Sequence, residues 1–282
     1  MAPPLVHRFQ ASLFPVNAYL LEFPDGIVVI DSTLGVSDGR ALRARADATG
    51  KPLRAVIVTH THPDHYGGLT ALVEQREDIP IVSVQGVRDA IQRDDPAKEA
   101  ILRPMFGDEW PQRRTFPSRT IRDGERLTFG TAALRVIDLG PGESPHDSLW
   151  LIESNEAAHA FVGDLVYNHM HGFLADGFHR EWLANIARAR RELPPHVTFY
   201  PGHGESGPAR DLLDWQEGYI RAFIGAVRST IGEQTLTDEA AAATVTATMK
   251  AYLGRDDLLF LMQLSIAPIR PALKEERDSV GR

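Results

Sequence analysis

Three histidines and an aspartate fall within six positions in the run His60-Thr61-His62-Pro63-Asp64-His65. Imidazole nitrogens and carboxylate oxygens are the ligands that borderline divalent cations take, and such a cluster has little use in packing. The chain has no cysteine. Disulfides, thiolate zinc sites and a cysteine nucleophile are therefore excluded, and any ion must be held by His and carboxylates. The residues before the cluster, Arg54 to Thr59, are apolar and β-branched and predict a buried strand. Those after it, from Gly67 to about Arg76, predict a helix. The donors thus occupy a tight turn at the carboxyl end of a strand.

The pattern His60-x-His62-x-Asp64-His65 resembles the signature of the metallo-β-lactamase-fold hydrolases. That resemblance implies a mixed α/β (α+β) fold, a four-layer αββα sandwich with two divalent metal ions at one edge of its two sheets. It also implies three more ligands, each at a strand end: His146 after Leu139-Gly-Pro-Gly, Asp164 after the strand 159–163, and His203 after the strand 196–200. Metal one is then expected on His60, His62, His146 and Asp164, and metal two on Asp64, His65, His203 and Asp164. Asp164 and a hydroxide bridge them. The segment Gly142-Glu-Ser-Pro-His146-Asp departs from the histidine-and-glycine turn of many members, so Glu143 and Asp147 compete with His146. Zinc is the expected metal, with Mn or Fe tolerated by the same ligands. Asp31, closing the strand 26–31, matches a carboxylate that takes the far N–H of a ligand histidine; the alternative is a turn cap.

Around this centre the elements follow from pattern. Residues 5–13 and 16–23 predict strands, and Pro24-Asp25-Gly26 turns the second into a hairpin with 26–31. A helix over 37–49 ends at Gly50 and Pro52. Residues 86–103 predict a helix with a break at Asp94-Asp95-Pro96. The stretch 104–118, with four large apolar residues among its prolines, reads either as a lid over the substrate or as core packing. Two or three strands over 119–138, further strands over 148–153, 159–163 and 196–200, and a helix over 179–192 complete two βαβ-like halves. From 208 to about 270 the pattern is helical, with Trp215, Tyr219, Phe223 and Val227 on one face. A catalytic domain over 1–207 and a helical extension over 208–282, forming a cap or a homodimer surface, are expected.

The chain has 282 residues and a formal net charge of −8, with no dense basic run. Affinity for phosphates comes from Lys and Arg, so nucleic acid is not an expected partner. No signal-peptide pattern and no long apolar span are seen, which predicts a cytoplasmic protein that does not engage a membrane. The expected partner is a small-molecule substrate.

Two metals with a bridging hydroxide attack a carbonyl or phosphoryl centre. The leading expectation is hydrolysis of a lactone or ester, with thioester hydrolysis of the glyoxalase II type as the alternative. A β-lactamase, a phosphodiesterase and a non-hydrolytic metal-binding module rank below them. Tyr167, three residues after Asp164, matches a tyrosine that lactonases of this fold aim at the substrate carbonyl, where a phenol stabilises a developing oxyanion. Asp64 is expected to carry a proton to the leaving group. His169 and His171 are open between lining the pocket and packing.

Overall fold

The computed structural model describes residues 3–76, 78–130, 132–153, 158–194, 196–231 and 237–280. Strands β1 (Leu5–Gln10), β2 (Asn17–Phe23) and β3 (Gly26–Ile30) form an antiparallel meander, with Pro24-Asp25 at its second turn. Helix α1 (Val36–Asp47) carries the chain over to β4 (Leu53–Ile57), which runs parallel to β3. Two short helices follow, α2 (Pro63–Tyr66) and α3 (Leu69–Leu72), where one longer helix is expected from the pattern. Then come β5 (Ile81–Val84), α4 (Gln85–Phe106) and β6 (Arg119–Ile121), which close a six-stranded sheet in the order β1 to β6.

The second sheet is also six-stranded, in the order β12-β11-β10-β9-β8-β7. It is built from β7 (Arg126–Phe129), β8 (Ala132–Gly140), β9 (Asp147–Glu153), β10 (Ala158–Tyr167), β11 (Val197–His203) and β12 (Gly207–Pro208). Helix α5 (His179–Glu192) connects β10 to β11 in parallel; α6 (Ala209–Ser229), α7 (Asp238–Leu253) and α8 (Leu259–Val280) follow.

Period-two alternation in the second sheet sorts its side chains between two cores. Val136, Trp150 and Phe161 pack inward against the first sheet, whose other neighbours are α1, α3 and α4. Their sequence neighbours Ile137, Leu149, Leu151, Ala160 and Val162 point the other way, onto α5 and the three C-terminal helices. The layers are therefore helix, sheet, sheet, helix, as the signature implies. The C-terminal helices share the second core rather than standing off it: Phe223 and Val227 of α6, Met249 of α7 and Ile269 of α8 are all fully buried there.

The expected break at Asp94-Asp95-Pro96 is not found. Helix α4 runs through Pro96 and Pro104, and α8 through Pro268 and Pro271. An interior proline costs about 3 kcal/mol of helix stability. Tertiary contacts offset it in α4, where Val87, Ala90 and Ile91 are buried and the Asp95 carboxylate accepts from Arg114 Nε at 3.0 Å and Tyr66 Oη at 3.3 Å. Residues 104–118 divide between the two roles: Met105 and Phe106 line a cavity, whereas Trp110 is fully buried under the Arg114 guanidinium, 3.8 Å from its ring centroid.

Candidate metal centre

Four strand ends and one loop converge at the edge shared by the two sheets. Strand β4 delivers His60, which bridges to Asp147 at the start of β9. His62 caps α2 in extended conformation and Pro63 takes its first position, so the backbone turns from strand to helix within three residues. Asp64 and His65 sit on that first turn. Asp164 lies in β10 and His203 ends β11. A close approach makes this possible: a Cβ on Gly202 would lie 2.1 Å from Asp164 Oδ1 and 2.5 Å from the His65 ring.

The donor atoms form two groups around Asp164. In one, Glu143 Oε2 lies 2.8 Å from His62 Nδ1 and 3.7 Å from His60 Nε2, with Asp164 Oδ2 3.8 Å from His60 Nε2. In the other, His203 Nε2 is 3.3 Å from Asp64 Oδ2 and 3.2 Å from Asp164 Oδ2, and His65 Nε2 is 3.4 Å from Asp164 Oδ1. Five of these buried atoms make no hydrogen bond: His60 Nε2, His65 Nε2, His203 Nε2, Glu143 Oε2 and Asp164 Oδ1. An unpaired buried polar atom costs about 1–3 kcal/mol. Five of them pointing at one another form a shell that a cation satisfies.

The opposite side of each ring is fully engaged. His60 Nδ1 donates to Thr59 Oγ1 at 2.9 Å, and that hydroxyl donates in turn to Asp31 Oδ2 at 2.8 Å. His65 Nδ1 donates to Asp31 Oδ2 at 2.9 Å, His203 Nδ1 to the Pro15 carbonyl at 2.6 Å, and His62 Nε2 to Asp176 Oδ2 at 3.0 Å. Each far nitrogen thus has an acceptor, so the near nitrogen is the one an ion can take once its proton is displaced. Asp31 performs the role its position suggested, and does so with φ at +58°, a left-handed backbone that a non-glycine residue adopts at a cost.

Electrostatics point the same way. Burial works against charge on His62, yet the carboxylates of Glu143 and Asp176 outweigh it and raise its pKa to about 10. His203, also opposed by burial, is raised to about 10 by Asp164 and Asp64. The cluster holds more carboxylate than neutral imidazoles can balance, and positive charge is what it lacks.

His146 is not where the signature places it. Its Nε2 meets Asp138 Oδ1 at 2.7 Å, and its ring lies against Gly86, where an added Cβ would sit 2.0 Å from it. The reason is the fold of residues 140–147. Asp147 Oδ2 accepts from Glu143 N at 2.6 Å, its Oδ1 from Ser144 Oγ at 2.6 Å, and Ser144 Oγ accepts in turn from His146 N at 3.3 Å. This ring of bonds turns Glu143 inward and leaves His146 on the outer side. Glu143 stands among the donors instead, one of the two competitors that the sequence offered.

Tyr167 is also committed differently from the expectation. Its ring stacks on His203 at 4.8 Å, and its hydroxyl donates to Glu143 Oε1 at 2.8 Å. The phenol therefore holds a carboxylate in this structure. His171 is buried between Tyr219 Oη and the Arg255 carbonyl, and His169 packs on Trp215, so both are packing residues. Sequence reasoning missed Asp176 and Lys98, which carry no local signal; Lys98 Nζ donates to the Thr61 carbonyl at 2.5 Å from α4.

A cavity of about 440 Å3 opens onto the cluster. His62, Asp64 and Tyr167 face it, Phe14, Phe173 and Leu261 are among its apolar walls, and among the described residues Lys98 is the one Lys or Arg on its lining.

Comparison with known proteins agrees with the fold and the donor pattern. The chain is similar to a hydroxyacylglutathione hydrolase of Neisseria gonorrhoeae, with 26% identity over 146 residues, 52% of this chain and 47% of that protein. The chain thus matches about half the length of such curated relatives. Among solved structures it is similar to a beta-lactamase domain protein from Burkholderia ambifaria, with a TM-score of 0.70 and 20% identity over 96% of this chain and 86% of that one. It is also similar to TTHA1623 in a di-iron-bound form, with a TM-score of 0.59 and 28% identity over 76% of this chain and 100% of that one. The family model described as the metallo-beta-lactamase superfamily matches residues 11–203, and the chain belongs to that superfamily.

Proposed function

We propose that the chain is a metal-dependent hydrolase of carbonyl esters or thioesters with an apolar acyl group, working with two divalent ions. The observation that carries this is the shell of five unpaired donor atoms around Asp164 at the floor of a cavity. The first ion is assigned to His60, His62, Glu143 and Asp164, and the second to Asp64, His65, His203 and Asp164. Bound there, two such ions supply a Lewis acid for the carbonyl oxygen and lower the pKa of water toward neutrality. Asp64 faces both the donors and the cavity, and it is assigned the transfer of the attacking water's proton to the leaving alkoxide or thiolate. Zinc, manganese and iron all fit these donors. Iron gains weight from the likeness to a protein solved in a di-iron-bound form.

The hydrolase reading draws support from the hydroxyacylglutathione hydrolase relatives. The walls of the cavity argue against glutathione itself as the carrier. That tripeptide bears two carboxylates, whereas Lys98 shares the lining with Asp94 and Asp176. Phe14, Phe173 and Leu261 suit hydrocarbon, at about 25 cal/mol per Å2 of apolar area buried. A lactone substrate gains from a free Tyr167 hydroxyl, and the bond of that hydroxyl to Glu143 removes this support. Lactones remain cyclic esters and belong in the same screen.

The test is a purified-protein panel of acyl esters, acyl thioesters, lactones, a β-lactam and a phosphodiester, with metal content measured on the same sample. About two ions per chain, and turnover of acyl esters or thioesters that chelation abolishes, is the expected result. Full activity in metal-free protein, or turnover confined to the phosphodiester, would overturn the reading.

A further inference from the structure

We propose that Glu143, held by Tyr167, makes the first metal position a hard, oxygen-rich site that favours Mn2+ and Fe2+ relative to Zn2+ more than the histidine expected from the signature would. The inference rests on the two-metal reading above and goes beyond it, because it concerns which ion this chain selects.

The donor counts carry the argument. With His146 turned away onto Asp138, the first position has two imidazoles, His60 Nε2 and His62 Nδ1, and two carboxylates, Glu143 and the shared Asp164. The second has two imidazoles, His65 Nε2 and His203 Nε2, and two carboxylates, Asp64 and Asp164. The two positions therefore offer the same donor set. The histidine expected from the signature would have given the first position three nitrogens and one oxygen. Carboxylate oxygen suits the harder ions, and imidazole suits zinc. Exchanging a nitrogen for a charged oxygen moves the first position toward the harder ions and adds a negative charge to the cluster.

The geometry says that this carboxylate is built in. Glu143 is buried, Tyr167 Oη occupies Oε1 at 2.8 Å, and Oε2 alone is left facing His62 and His60. Tyr167 is a positioning residue: it fixes which oxygen points at the ion and disfavours two-oxygen chelation. Asp147 fixes the backbone below, through Glu143 N at 2.6 Å.

The experiment is metal competition on the full chain. Metal-free protein is dialysed against Zn2+ and Mn2+ at matched free concentrations, and bound metals are counted by elemental analysis. Stepwise Mn2+ binding is followed by electron paramagnetic resonance. Zinc remains the tighter ion for most N/O sites, so the prediction concerns ratios. Glu143→His should shift the Zn:Mn occupancy ratio toward zinc by about tenfold or more. Tyr167→Phe should lower Mn2+ affinity at one site by about tenfold and leave the other unchanged. In the unaltered protein the two Mn2+ ions should bind with affinities within about tenfold of each other, since the donor sets match. An unchanged or reversed ratio in Glu143→His overturns the inference. Should that variant fail to fold, a gap above about a hundredfold between the two Mn2+ affinities of the unaltered protein overturns it instead. Absence of any divalent ion bound by the unaltered protein would defeat the two-metal reading itself, a different result from bound metals with unaltered selectivity.

Discussion

The turn 60–65 and the loop 140–147 deliver donors to the same cluster by opposite means. In the turn, a short helix that starts at Pro63, after strand β4, sets where Asp64 and His65 go. His62 is extended at the cap of α2, two residues after His60, and Pro63 starts a helix that brings Asp64 and His65 round to them. In the loop there is no repeat to count. It leaves β8 at Gly140, with φ at +67°, and is then shaped by Asp147 and Ser144 binding its backbone. Which of Glu143 and His146 faces inward is decided by those bonds and not by distance from the strand. Spacing is readable as chemistry only where the backbone is regular.

Asp164 tests the part of the centre that both regions share. Asp164→Ala removes the carboxylate between the two donor groups and should lower metal content and turnover by orders of magnitude together. Elemental analysis beside kinetics on the best substrate checks this. Retention of two ions with full turnover would mean that neither region assembles the site assigned to it.

Asp147 tests the loop alone. It lies outside the donor set, yet its carboxylate holds Glu143 N, Ser144 N and Ser144 Oγ, and burial pushes its pKa up to about 6 against those donors. Asp147→Ala should leave buried N–H groups unpaired, at about 1–3 kcal/mol each, and let Glu143 drift. Metal affinity at one position should fall by roughly ten- to a hundredfold, the usual range for a residue that orients a ligand. The loss should be smaller than for Asp164→Ala, and the second position should keep its ion. Calorimetric titration with Mn2+ separates the two steps; equal loss at both positions would show that the loop does more than place Glu143.

This contrast also explains how much was legible. The layered fold, the β2–β3 hairpin and the strand before the donors follow from apolar alternation and turn residues, which act locally. Asp31 was legible because it closes a strand beside the cluster. A break in α4 at Asp94-Asp95-Pro96 is the expectation because Pro96 is a local penalty, whereas the burial of Val87 and Ile91 that offsets it is a tertiary fact. Lys98 reaches the site from within α4 and Asp176 from the segment before α5, and nothing near either in sequence marks it as part of the site.

Tyr167 gives a smaller effect of a different kind. Were its hydroxyl aimed at a substrate carbonyl, Tyr167→Phe would lower kcat by roughly ten- to a thousandfold with both metals in place. With the hydroxyl on Glu143 Oε1, the loss should instead appear as weaker binding at one metal position, and saturating metal should restore most of the turnover. Kinetics across a metal titration distinguish the two. A kcat deficit that persists at full occupancy would return Tyr167 to the substrate.

His146 should give the smallest effect, and it breaks the comparison most cleanly. If spacing after a strand decided the ligand, His146→Ala would empty the first metal position. In the structure its ring is a partly exposed partner of Asp138, 2.7 Å away, so the substitution should leave metal content and turnover unchanged. What it should alter is acid stability, slightly. Burial raises the Asp138 pKa, but the His146 hydrogen bond and charge, together with the Gly140 amide, outweigh it and hold the carboxyl below its usual range. A carboxyl lowered on folding stabilises the protein above its unfolded pKa of about 3.9 and loses that contribution as the pH falls through the folded value. His146→Ala should therefore flatten part of the decline in melting temperature below about pH 4, by less than about 1 kcal/mol for a pair open to solvent. Melting curves over that range, with metal analysis at neutral pH, test both halves. Loss of an ion from the His146 variant would put the histidine back in the centre and Glu143 outside it.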